Sequence, residues 1–461
     1  MAARPEDVDI AASAARGSSP PEDRRGFVYR ACFFLGAGIL FPWNSYITAV
    51  DYFERVHPGK HVDRVFGVLY FLPNLLMLVL VLRFGNLVPP GARVRLGFCL
   101  FLLCLLVPAF TSNLGVLCAG IALNGVADAL AQGSLFAQVA SMPETYTQAL
   151  MGGTSLSGLI VSLLRVVTKA SFPSTDSGAA ASASTYFVAA ALWVLACLVL
   201  YGELERSEVF RWHVARAARA RRAGEAAGVR EGMRDGGENR DEYESELALT
   251  NAASSSSSSL VGMNRTRMSR TRRGMWRVED DEGPGPGTTL RDAVAIASRV
   301  KHHAFAVAVT YVVTLSIFPG VLAEDLRDDS MGDWFPVALI AAFNLADVVG
   351  KCVPGVYPAA ATAFSPRTMA AMAAARVLFV PAFMATAGVS SDGSSGGGVV
   401  SAGVALTLAL GVTNGWYSAS VMMTAPKAVS AAECEACGTI MVFFLLSGLT
   451  IGAFCGWLWL V

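Results

Sequence analysis

Stretches of about twenty mostly apolar residues recur along the chain, each long enough for one helical crossing of a bilayer. They begin near Phe27, Phe66, Val94, Leu114, Gln148 and Tyr186, and again near His302, Trp334, Thr368, Val399 and Cys434. Lipid offers no partner to a bare backbone N–H or C=O, so such stretches have to be helices. The spacing predicts an all-α polytopic membrane protein of about eleven transmembrane helices in a 6+5 arrangement. Composition agrees: 54% of residues are hydrophobic and 16% charged, against roughly 45–50% and about 25% in soluble chains. Zero net charge argues against a nucleic-acid partner, which needs a basic surface.

The windows divide the chain. Residues 1–26 are polar and proline-bearing and read as a disordered cytoplasmic tail. Residues 27–203 form an N-terminal six-helix bundle and 302–461 a C-terminal five-helix bundle. Between them, 204–301 is expected to be a mostly disordered cytoplasmic linker, with a serine run at Ser254–Ser259 and no apolar period. Its start, "RSEVFRWHVARAARARR", reads equally as a helix along the membrane surface or as a solvated charged helix. Lys and Arg collect on the side of the tail and linker, which places both in the cytoplasm and Val461 opposite. The plasma membrane is the expected location, with an internal membrane as the alternative. The sequon at Asn264 falls in the cytoplasmic linker and is expected to be unglycosylated.

Several spans carry polar side chains that are costly in lipid and usually face a cavity or one another. Asn124, Asp128 and Gln132 take spacings i, i+4 and i+8 on one helical face. Asn344, Asp347 and Lys351 share a face of the eighth span, and Ser155, Ser162 and Arg165 cluster on the fifth. Arg376 lies in the ninth, Asn414 and Ser418 in the tenth. Singly, Ser and Asn bond helices together for about 1 kcal/mol or less, and Arg165 with Lys169 can snorkel to a membrane edge. Stripes on several spans instead indicate a polar pathway between helices. No repeated ring of carbonyls or charges suggests an ion filter, so a carrier is favoured over a channel. Gly152, Gly153, Gly158, Gly411, Gly415, Gly448 and Gly452 permit close helix approach. Pro42, Pro319, Pro381 and Pro426 can bend or end spans.

No HExxH or GxSxG motif suggests an enzyme. Nothing calls for a cofactor or metal: Cys434 and Cys437 form a CxxC with no second pair and no nearby His. The other cysteines lie in or beside apolar runs, as small hydrophobes do.

The segments "GAGILFPWNSYITAVDYF", "QGSLF", "YVVTLSIFPG", "FNLADVVGK", "RVLFVPAF", "TNGWYSASVMMTAP" and "GTIMVFFLLSGLTIGA" resemble, in order, the signature segments of the equilibrative nucleoside transporter family. "GTSLSGLIVSLLRVVTKA" is most similar to plant and algal members. The resemblance implies a fold related to the major facilitator superfamily, with nucleosides, and also nucleobases, bound between the two halves and exposed alternately to each side. It implies that Trp43 and Asn44 of the first span line the cavity, that Gln132 bonds base edges and that Asp347 meets the sugar hydroxyls. Asn344 and Lys351 complete the expected substrate site. Many members carry arginine where this chain has Lys351, and lysine lacks the planar fork. Trp43 has a competing role as a membrane-interface residue, but its place within the run speaks against it. Facilitative transport is the leading expectation. The alternative is a proton-coupled symporter, with Asp128, Arg165 and Glu324 as candidates for proton exchange or gating and Asp347 as a further proton site. A transport-inactive nucleoside sensor is the alternative of another class.

Overall fold

Each apolar window falls on a helix, and the helix starts are set by local chemistry. A computed structural model of the chain describes residues 20–235 and 290–460, apart from 61, 174, 319, 323–325, 327–333 and 392–396. The tail up to 19, the linker residues 236–289 with their serine run and Asn264, Pro319 and Glu324 therefore lie outside the described residues. The helices that build the body are α1 (Phe27–Thr48), α2 (Val62–Phe84), α3 (Pro90–Phe110), α4 (Leu114–Ala140), α5 (Glu144–Ser171) and α6 (Asp176–Arg206). They continue with α7 (Glu208–Asp235), α8 (Leu290–Arg299), α9 (Lys301–Ile317), α10 (Trp334–Val356), α11 (Pro366–Ala375), α12 (Phe379–Ser391), α13 (Gly397–Thr424) and α14 (Cys434–Cys455). Asn113 caps α4 by accepting from the Val116 N–H at 3.2 Å. Thr175 and Ser365 do the same for α6 and α11, each satisfying an orphan donor of the first turn. Proline opens α3 and α11, where its missing N–H costs nothing.

Among the described residues, eight helices are long and apolar enough to cross a membrane, or nine when α8 and α9, bent by 82°, count as one span. The window near Thr368 is not one continuous helix. It tightens into a 3-10 turn at Arg376–Leu378 between α11 and α12. Pro381 explains the break: it gives no N–H to the carbonyl of Val377, four residues earlier, and its ring crowds that carbonyl. At the start of the linker, α6 ends at Arg206 and an extended Ser207 separates it from α7. Val209, Phe210 and Trp212 of α7 are buried, so one face of this charged helix packs on the protein.

Packing sorts the helices into two groups. In the first, α1 lies along α5, α4 along α2 and α3, and α6 along α1 and α3. In the second, α10 lies along α13, and α9 along α11, α13 and α14. The groups meet where α5 packs on α10 and α13, and α14 on α2 and α4. Glycine makes the tightest crossings possible. A Cβ on Gly153 would collide with the Phe33 carbonyl of α1. One on Gly415 of α13 would sit 2.7 Å from the Lys351 backbone nitrogen of α10. Backbones this close are the usual way helices associate in lipid.

Candidate functional site

Where the two groups meet, a cavity of about 110 Å³ lies between α1, α2, α4 and α5 on one side and α9, α10, α13 and α14 on the other. Trp43, Asn44, Gln132, Asn344, Asp347 and Lys351, the substrate residues expected from sequence, all line it, as does Asp128. Periodicity explains the convergence: the polar stripes of α4 and α10 run along the faces turned toward the other group.

The first group supplies an aromatic wall. The Trp43 indole stacks on the Tyr70 ring with centroids 4.2 Å apart and planes 17° apart, and Phe71 tilts against it at 4.9 Å. Beside this wall Asp128 lines the cavity and is fully buried. Its carboxylate accepts from Asn74 Nδ2 at 2.7 Å and from the Tyr70 hydroxyl. With its amide nitrogen turned to Asp128, Gln132 donates to both carboxylate oxygens at 2.9 and 3.2 Å. In that orientation the Gln132 oxygen, an acceptor, is turned away from Asp128. Asn44 Nδ2 donates to Ser157 Oγ at 3.0 Å.

The second group supplies an ion pair. Lys351 Nζ lies 3.1 Å from Asp347 Oδ2, one turn along α10, with both side chains buried. The same ammonium donates to Thr154 Oγ1 at 3.1 Å across the group boundary. Asp347 Oδ1 accepts from Asn414 Nδ2 at 2.7 Å, and Oδ2 also accepts from Ser155 Oγ. A carboxylate offers about four acceptor positions, so three donors leave room for one more. Asn344 Nδ2 reaches Ser162 Oγ at 3.3 Å. Gln148 of α5 donates to the Lys351 carbonyl at 3.1 Å and accepts from the Tyr29 hydroxyl at 3.0 Å, so the boundary is bonded as well as packed. The charged groups lining the cavity are thus two carboxylates and one ammonium.

Arg165 is elsewhere. It is buried against α6, with Nη1 3.4 Å from Ser182 Oγ and the guanidinium 5.8 Å from the Tyr186 ring centre. It is not among the residues that line the cavity. Sequence reasoning passed over Tyr70, Asn74, Thr154, Tyr311 and Thr314. Tyr70 and Asn74 stand at i, i+4 in "YFLPN", a polar stripe that periodicity could have found.

A family model described as Nucleoside transporter matches residues 118–461. The chain is 34% identical to Equilibrative nucleotide transporter 1 of Arabidopsis thaliana over 96% of its own length and 88% of that protein's. It is 30% identical to Equilibrative nucleotide transporter 8 of the same plant, over 93% and 94% of the two chains. Among solved structures, the major facilitator superfamily proton:xylose symporter XylE superposes with a TM-score of 0.54 at 11% identity, covering 95% of this chain and 89% of that one. The transporter FucP of the same superfamily superposes with a TM-score of 0.51 at 11% identity, over 94% and 96%. The fold is therefore major-facilitator-like.

Proposed function

The chain belongs to the nucleoside transporter family, and we propose that it carries uncharged nucleosides across a membrane by exposing the central cavity to one side and then the other. One observation carries the reading. A single cavity between two helix groups joins a flat aromatic wall, Trp43 on Tyr70, to a buried carboxylate, Asp347, with an acceptor position to spare. Base stacking on an aromatic side chain is worth about 1–3 kcal/mol and tolerates any base. A carboxylate accepts from sugar hydroxyls. The cavity's 110 Å³ is smaller than the ~300–1,000 Å³ of common ligand pockets, which fits a contracted stage of a cycle in which the groups part to admit substrate.

The relatives are named for nucleotides, yet the charges here favour nucleosides. A nucleoside monophosphate brings about two negative charges into a cavity with two carboxylates and one ammonium. Phosphate sites use arginine forks or several convergent donors instead. Uptake of radiolabelled uridine into cells lacking their own nucleoside transporters tests this. Unlabelled nucleosides should compete and nucleoside monophosphates should not. Stronger competition by the monophosphates would contradict the proposal.

Asp128 favours a second reading, a proton-coupled carrier. It is fully buried at the cavity, and among the described residues its partners are neutral donors, with no lysine or arginine at ion-pair distance. The same uptake with and without a proton uncoupler separates the readings. Facilitative transport keeps its initial rate, whereas coupled transport loses accumulation.

A further inference from the structure

Arg376 is buried at the break between α11 and α12, 4% exposed. Among the described residues no carboxylate lies within ion-pair distance of it. Its partners are oxygens of α9 and α13. Nη1 donates to the Thr310 carbonyl at 2.9 Å, and Nη2 to Thr314 Oγ1 at 3.0 Å and to the Leu410 carbonyl at 3.1 Å. Nε donates to Thr413 Oγ1 at 3.2 Å. From Thr314 a chain of bonds runs on to the cavity. Thr314 Oγ1 lies 2.8 Å from Asn414 Oδ1, and Asn414 Nδ2 donates to Asp347 Oδ1 at 2.7 Å.

The direction of this chain is held from both ends: the Asp347 carboxylate, an acceptor only, takes the Asn414 nitrogen, and Arg376 acts at the Thr314 end. The Thr314 hydroxyl has one hydrogen and two acceptors in reach, the Thr310 carbonyl at 2.9 Å and Asn414 Oδ1 at 2.8 Å. Within a helix the Thr310 carbonyl already receives the backbone N–H four residues on. The guanidinium fills its second lone pair and also donates to the Thr314 oxygen itself. A carbonyl has two lone pairs and no more. The Thr314 hydrogen is therefore turned toward Asn414 Oδ1. That fixes the Asn414 amide with its oxygen toward Thr314 and its nitrogen toward Asp347.

We propose that Arg376 is a positioning residue that holds this direction at the Thr314 end, and so presents Asp347 to the ligand as a charged acceptor that selects hydroxyl-bearing sugars. The inference rests on the reading that Asp347 meets the sugar. Without the guanidinium, or without the Thr314 hydroxyl, the Asn414 oxygen loses the donor held against it, and the amide that donates to Asp347 is held at one end only.

The test compares KM for uridine and for 2′,3′-dideoxyuridine in uptake normalised to surface protein. The variants are Arg376→Gln, Thr314→Val and Thr314→Ser. Valine keeps the shape of threonine and removes the hydroxyl; serine restores it. Wild type and Thr314→Ser should favour uridine. Thr314→Val and Arg376→Gln should raise KM for uridine about tenfold, the scale of one lost bond to a charged group, and leave the dideoxynucleoside unchanged. A purely structural role would move both substrates together, and an equal shift in both, or none in either, overturns the inference. If Arg376→Gln does not reach the surface, Thr314→Val decides alone, since it cuts Arg376 from Asn414. Equal KM values in wild type would overturn the sugar contact at Asp347 and this inference with it, whereas a wild-type preference kept by Thr314→Val would overturn this inference only.

Discussion

The Trp43 indole lies nearly parallel to the Tyr70 ring at 4.2 Å, so one of its faces is committed before a ligand arrives. Tyr70 in turn bonds Asp128. Trp43→Ala should therefore raise KM for every nucleoside by about tenfold or more, from the 1–3 kcal/mol stacking scale. Trp43→Phe should be milder. Uptake per surface molecule measures both, and an unchanged KM in the alanine variant would reduce Trp43 to packing. At this scale much of the site is written in local spacing. Asp128 with Gln132, and Asp347 with Lys351, stand four residues apart on faces that meet at the cavity. Thr314 is different. Its role comes from Arg376, 62 residues on, and Asn414, 100 residues on, and no periodicity within one helix encodes a bond between three. Tyr70 is an intermediate case: its spacing from Asn74 is legible, but an aromatic in an apolar span looks like core until its hydroxyl is seen on a carboxylate.

Helices, not single side chains, hold these groups in register. Gly415 seats α13 on the backbone of α10 beside Asp347 and Lys351. Gly415→Val would force the helices apart and draw Asn414 from Asp347. Overpacking of this kind costs about 1–3 kcal/mol or more, so a lower unfolding temperature in detergent and a loss of uptake are expected together. Normal stability with normal uptake would show that the crossing can relax. Glycine spacing made this approach legible in the sequence. The turn at Arg376–Leu378 was legible only in part: Pro381 marks a bend, but hydropathy averages over it and does not place the turn. Outside the spans, Arg299 of α8 bonds Glu433 just ahead of α14, with Nη1 2.9 Å from Oε2. The Arg299 hydrogen bonds, helped by Ser430, hold the Glu433 carboxyl below its ordinary range, against a smaller opposing effect of burial. A lowered folded-state pKa stabilises above the unfolded value and is lost as pH falls through the folded one. Wild type should thus exceed Glu433→Gln in thermal stability at neutral pH, by under about 1 kcal/mol for so exposed a pair, and the gap should close on acidification. A gap that widens in acid would refute a stabilising Arg299–Glu433 pair.

On the scale of the whole molecule, the two helix groups are joined by bonds that a carrier has to break and remake. Lys427 pairs with Glu144, Arg221 of α7 lies 3.6 Å from Glu435 of α14, and Gln148 holds the Lys351 carbonyl. The first two are exposed ion pairs of small worth. A weak, polar closure around a central site suits an equilibrium between states separated by a few kcal/mol. The order of apolar windows made the membrane-spanning body legible from the start. The pairing of Glu144 with Lys427 was not, since it joins residues far apart in sequence and depends on how the groups close. Counterflow in proteoliposomes tests the central claim most directly. Vesicles holding the purified protein are loaded with unlabelled uridine and diluted into a trace of labelled uridine. A carrier that alternates its site should accumulate label transiently above the outside concentration, without ATP. Entry of label that never exceeds equilibrium, whatever the vesicles contain, would contradict alternating access, and no entry at all would contradict nucleoside transport.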